Sequence, residues 1–215
     1  MSSSTARRSG LAAAFAVTAA LLATPVTAAA APADVPDIQW PPVGTTPPNH
    51  TPEEIDRIAT ELRQHAQDVF PDVVPQAVGP TTSKPEVIFD GALYGNTEFR
   101  VAEGRTAVTY QYNAPGVFYK SPKQTCEQGN LALCEGTLLD DGSVLLHQIY
   151  PEAADDPFRV ATSTHFKLDG SVTMVSSYNY DPILDDQQDP NPRPEVAVPF
   201  DQLDVLATDP ELAYR

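Results

Sequence analysis

Four histidines, two cysteines and several paired acids are the residues of this 215-residue chain whose types invite chemistry. His147 and His165 each lie beside an Asp-Gly turn, on segments that read as strands. They can meet on neighbouring strands, with Glu135 opposite His147 across its hairpin. A histidine beside a carboxylate is the minimum of a general base, but a base also needs a pocket for its substrate. A metal site needs three or four converging ligands. Neither a pocket nor a ligand set is visible in the spacing, so the expected metal and cofactor content is none. His147 and His165 are expected as ordinary surface strand residues, and His147, His165 and Glu135 stand as the candidate site. His65 follows Glu61 by four residues and reads as a solvated pair on a helix. His50 precedes a helix start.

No GxSxG frames a serine. Ser143 and Ser171 follow turn glycines and read as turn residues. Asp140-Asp141, Asp155-Asp156 and Asp185-Asp186 lack the spacing of a calcium loop. Cys126 and Cys134 are the only cysteines, and an even count in an exported chain argues for one bridge. The bridge closes a short ring, reads as a structural clip, and leaves no thiol for redox work. Tyr110, Tyr112, Tyr119, Tyr150, Tyr178 and Tyr180 fall on strands or strand ends. An outward row of them would suit a glycan or a protein; the plainer expectation fills the core with half and the rim with the rest.

The elements that position these residues follow from the pattern. Arg7-Arg8, an apolar run from Leu11 to Ala23 and the small residues up to Ala33 have the layout of a secretory signal peptide over 1–33, cleaved after Ala30 or Ala33. The run is shorter than the roughly 20 residues that span a bilayer, so no stable membrane anchor is expected. Removing Arg7 and Arg8 takes the net charge from −16 to −18. Such a chain repels phosphates, which excludes nucleic acid as an expected partner. Residues 34–50 form a Pro-rich linker with polyproline character. It carries Trp40, the sole tryptophan, which is expected to dock back on the domain. A second Pro-rich stretch, 182–199, reads as an acidic solvated loop around Asp185, Asp186 and Asp189.

Residues 51–215 are expected as one α+β domain. Thr51-Pro52-Glu53-Glu54 is a capping box. It opens a helix with Ile55, Ile58, Ala59, Leu62, Ala66 and Val69 on one face, Glu53 paired with Arg57, and an end at Pro71. From Glu86 the period becomes two. Glu103-Gly104 is expected to turn a hairpin pairing Val101 with Thr106 and Phe99 with Val108. A loop over Leu168–Gly170 pairs Phe166 with Val172 and Thr164 with Met174. LLDDGSVLLHQIYPE and FKLDGSVTMVSSYNYDP read as a repeated hairpin, and the whole as an antiparallel meander. Phe200 to Ala207 reads as a short closing helix with Leu203, Leu206 and Ala207 inward.

Leu168-Asp169-Gly170-Ser171-Val172, then Ser176-Ser177-Tyr178-Asn179, then Gln202-Leu203 and Leu206-Ala207-Thr208-Asp209-Pro210 carry a resemblance. Over about 160–212 the chain resembles small exported proteins of high-GC Gram-positive bacteria. The resemblance implies an exported domain and carries no activity to any residue. The expected function is a secreted, non-enzymatic binding or interaction protein, monomeric, with an extracellular protein or glycan as partner. The alternatives are a secreted hydrolase using a strand histidine with a carboxylate, or a protease inhibitor presenting the 126–134 loop.

Overall fold

The computed structural model describes residues 35–151, 156–184 and 192–215. The expected signal peptide over 1–33, with its cleavage candidates Ala30 and Ala33, falls outside them, as do Asp155 and the acids Asp185, Asp186 and Asp189. The fold is α+β: a long helix, an eight-stranded antiparallel sheet and a short C-terminal helix.

Helix α1 (Pro52–Val73) starts at the expected capping box, with Thr51 and Glu54 bonding reciprocally. Ile58, Ala59, Leu62, Ala66 and Phe70 form its buried face. The helix runs through Pro71 to Val73 instead of stopping before it. Phe70 and Val74 are both fully buried, and Val74 N–H donates to the Phe70 carbonyl at 2.8 Å. Seating two core side chains outweighs the single bond the proline removes. Arg57 pairs with Glu61, not with Glu53.

The strands are β1 (Val78–Thr82), β2 (Glu86–Phe89), β3 (Ala92–Val101), β4 (Gly104–Asn113), β5 (Leu133–Leu138), β6 (Val144–Tyr150), β7 (Val160–Phe166) and β8 (Val172–Tyr178). Their order is β1-β3-β4-β8-β7-β6-β5, with β2 also on β3. The second half is a meander, and the β3–β4 hairpin joins it through β4–β8. Helix α2 (Pro122–Gln128) precedes β5, and α3 (Phe200–Thr208) follows the sheet.

The β7–β8 register is as expected, Phe166 opposite Val172 and Thr164 opposite Met174. Both DGS turns bond alike: Ser143 and Ser171 each donate N–H and Oγ–H to the aspartate two residues back, Asp141 and Asp169. The β3–β4 register differs by two. Val101 faces Gly104 and Phe99 faces Thr106, because Gly104 takes the first ladder position at φ +138° and the turn moves to Ala102-Glu103. A shift of two keeps every side chain on its expected face.

One sheet face carries Phe99, Val108, Tyr110, Tyr112, Val175 and Leu145 under α1 and α3. Leu203, Leu206 and Ala207 of α3 are fully buried there. Tyr110 and Tyr112 stack 5.9 Å apart inside this core. The opposite face carries Val144, Leu146, Phe166 and Val172, covered by Val35, Ile38 and Trp40 of the N-terminal stretch and by Phe118. The Trp40 ring meets Phe166 edge-on at 5.0 Å, and its Nε1–H donates to the Phe118 carbonyl at 2.7 Å. Glycines make room for this strap. A Cβ on Gly170, at φ +87°, would sit 2.7 Å from Thr45, and one on Gly136 would sit 2.8 Å from Pro36.

Trp40→Ala removes a half-buried indole and its hydrogen bond together. The expected loss is about 2–3 kcal/mol of folding free energy, read from urea unfolding followed by circular dichroism. A loss within about 0.5 kcal/mol, the size of an ordinary surface change, would mean the strap is not part of the cooperative unit.

Candidate functional site

All four histidines lie where chain segments meet. Glu135 and His147 are register partners on β5 and β6, and His147 and His165 share the sheet face beneath α3. His147 Nε2 lies 2.8 and 3.0 Å from the two carboxylate oxygens of Asp204 on α3. Its ring stacks on Phe200 at 4.3 Å. Ser163 Oγ–H donates to the same carboxylate at 2.7 Å. Glu135 is exposed and takes no part in this cluster. Asp204 therefore supplies the carboxylate, a residue the spacing of the strands did not single out.

His165 is buried, not on the surface, with 6% of its area exposed. Its Nε2 lies 2.8 Å from Ser143 Oγ, and Ser143 Oγ lies 2.6 Å from Asp141 Oδ1. A serine has one hydroxyl proton. The carboxylate can only accept, so the serine donates to Asp141 and His165 Nε2–H donates to the serine. This is the reverse of a nucleophile activated by a base, in which the histidine takes the serine proton. Ser143 is also 1% exposed, out of reach of a substrate. The other ring nitrogen, Nδ1, lies buried against the Ala207 backbone without a well-formed hydrogen bond. Burial, with the Lys167 charge acting the same way, holds the His165 imidazole down to about 4. Lys167 is itself brought down to about 8 by burial, and its ammonium donates to Thr173 Oγ1 at 2.9 Å.

His65 bonds Asp209 at 2.9 Å and lies 3.4 Å from Glu211, tying α1 to the C-terminal tail instead of pairing with Glu61. His50 lies over Tyr214 at 5.6 Å. Among the described residues no group of three or more His, Cys, Asp or Glu side chains could hold a metal ion.

The second sheet face holds a different feature. An open cleft of about 380 Å³ lies between the sheet, the 117–120 loop and α2. Gln111 of β4, Tyr150 of β6 and Met174 of β8 contribute to it from the sheet. Phe89 and Tyr119 also line it, and they are 49% and 73% exposed. Lys120 and Gln128 add polar ends. The wall is built deliberately. Ser121 and Gln124 form a second capping box at the start of α2, and Cys126 is bridged to Cys134 on β5 with Cα atoms 5.6 Å apart. Only Gly129–Ala132 lie between α2 and β5, so the ring holds a helix against a strand and projects no extended segment. Phe118, at the back of the wall, is the residue that receives the Trp40 indole.

The tyrosines divide between core and rim. Tyr110 and Tyr112 are fully buried, which pushes both hydroxyls well above their ordinary value; Tyr178 is raised for the same reason. Tyr119 and Tyr150 line the cleft. Phe89, Gln111, Lys120 and Gln128 were missed by sequence reasoning, since each comes from a different segment and none belongs to a motif. The tyrosines on strands and strand ends were the one available signal, since two of them, Tyr119 and Tyr150, line the cleft. No protein-family model, curated protein or solved structure matches the chain.

Two outcomes follow from this geometry. Between pH 6.5 and 4 the unfolded chain protonates His165 while the folded protein keeps it neutral. Stability therefore falls with pH across that window, by on the order of 2–3 kcal/mol, and this contribution levels off below 4. In His165→Gln the fall is shallower by that amount in urea titrations from pH 7 to 4; equal slopes would place the titration elsewhere. Replacing both cysteines by serine is expected to cost about 2.5 kcal/mol by the loop-entropy relation and to speed amide exchange over 121–133. Unchanged exchange there would mean α2 is held by packing alone.

Proposed function

We propose that the protein is a secreted, non-catalytic binding protein, acting as a monomer, whose ligand sits in the cleft between the sheet and α2. The observation that carries this reading is the contrast between the two sheet faces. The histidines and their carboxylates are spent in contacts that hold α1, α3 and the tail. The cleft instead presents aromatic surface and uncommitted polar groups to solvent. Exposed aromatics clustered at a concavity mark binding surfaces. Secretion is supported by the charged, apolar and small-residue layout of 1–33 and by a disulfide with no free cysteine beside it. No helix among the described residues is long and apolar enough to cross a membrane.

A hydrolase remains the runner-up because the His147–Asp204 pair is about one-quarter exposed, at 28% and 27%. Amide-shift mapping separates the readings. With short sugars, short peptides and divalent cations as probes, saturable shifts are expected at Phe89, Gln111, Tyr119, Tyr150 and Met174. Shifts centred on His147 and Asp204 with turnover of the probe would establish the hydrolase instead. Phe89→Ala with Tyr119→Ala is expected to leave folding stability within about 0.5 kcal/mol per site while abolishing those shifts. A large stability loss would show that the aromatics hold the fold and not a ligand.

A further inference from the structure

We infer that the cleft takes a neutral oligosaccharide of N-acetylated amino sugars, a ligand class that rests on the binding reading above. Two exposed aromatic side chains line the cleft. Tyr119 and Phe89 expose aromatic rings on the same trough. The C–H face of a pyranose stacks on such a ring, because the electron-rich π face meets weakly positive hydrogens.

The polar groups of the cleft are both donors and acceptors. Gln111 Nε2–H donates to Asn113 Oδ1 at 3.0 Å, which leaves its carbonyl oxygen and second N–H available. Gln148 donates to the Tyr150 hydroxyl at 2.9 Å, so that hydroxyl keeps its own proton to give. Gln128 and Lys120 line the cleft without a side-chain hydrogen bond or ion pair among the described residues. The set mixes donors with an amide acceptor and contains no carboxylate. It suits hydroxyls and acetamido groups, each of which both donates and accepts.

The lining also includes apolar side chains. Val117 and Met174 give it an apolar patch, which a plain hydroxylated sugar would leave wet and an acetamido methyl would cover. Charge narrows the class further. A single lysine in a chain of net charge −16 does not attract a polyanion, so an unsubstituted neutral chain fits better than a polyuronate. A globular partner fits less well, since a stable interface buries about 800 Å² per partner and this trough is small and concave.

The probe is the β-1,4-linked hexamer of N-acetylglucosamine, titrated into the secreted protein. Cellohexaose, with the same linkage and no acetamido group, and an uncharged hexapeptide are the comparisons. Trp40 fluorescence reads the wall through Phe118, and amide shifts locate the site. Saturable binding of the acetylated hexamer at cleft residues is expected, at least tenfold tighter than cellohexaose. Tyr119→Ala weakens it about tenfold with unchanged melting temperature, and Gln111→Leu narrows the gap between the two sugars while lowering the melting temperature slightly, since it also removes the donor to buried Asn113. Equal binding of the two sugars would overturn the acetamido assignment. Binding of the hexapeptide alone at the same residues would overturn the sugar class and leave the binding site standing. No perturbation of the cleft by any probe would overturn both.

Discussion

Val144, Leu146, Phe166 and Val172 make an apolar patch on the sheet face that no long helix covers, and a sheet this wide cannot leave such a patch wet. The strap from Val35 to Trp40 is the answer to that constraint, and much else follows from it. Glycines at 136 and 170 are needed so that Pro36 and Thr45 can approach the backbone. The Phe118 carbonyl, bonded to the indole, fixes the 117–120 loop and so one wall of the cleft. A two-layer α/β packing would have buried one face and left the other polar. Here both faces carry apolar residues, with α1 and α3 on one and an extended segment beside the short α2 on the other.

The helical side is fastened by polar contacts as well as apolar ones. Asp204 receives His147 and Ser163, and the His65–Asp209 contact ties the tail to α1. These pairs are partly wet, so each contributes modestly by itself. Their effect is directional: they fix where along the sheet α3 sits, while Leu203 and Leu206 supply the burial.

Legibility followed the range of the interactions. The capping box at Thr51, the β7–β8 register and the closing helix depend on neighbours within a few residues, and all could be read. Where glycine served as a ladder residue, at Gly104, the faces were right and the register was displaced by two. Alternation showed that His165 lies opposite in direction to Phe166, but not that α3 covers its side. Both faces of β7 are buried, so the alternation carried no solvent signal there. Asp204 was invisible because a helix 41 residues beyond Ser163 supplies it. The cleft was invisible for the same reason, as its lining comes from β2, β4, β6, β8, the 117–120 loop and α2.

The strap also imposes an order on assembly. Trp40 and Phe166 touch across 126 positions of sequence, among the most distant contacts in the chain. Closing so long a loop is entropically unfavourable until the intervening hairpins have shortened it. The β6–β7 and β7–β8 hairpins must therefore pair before the tryptophan has a surface to meet. The strap, synthesised well before the strands it covers, is thus among the last segments to be fixed, and completion of the fold waits on the C-terminal half of the chain.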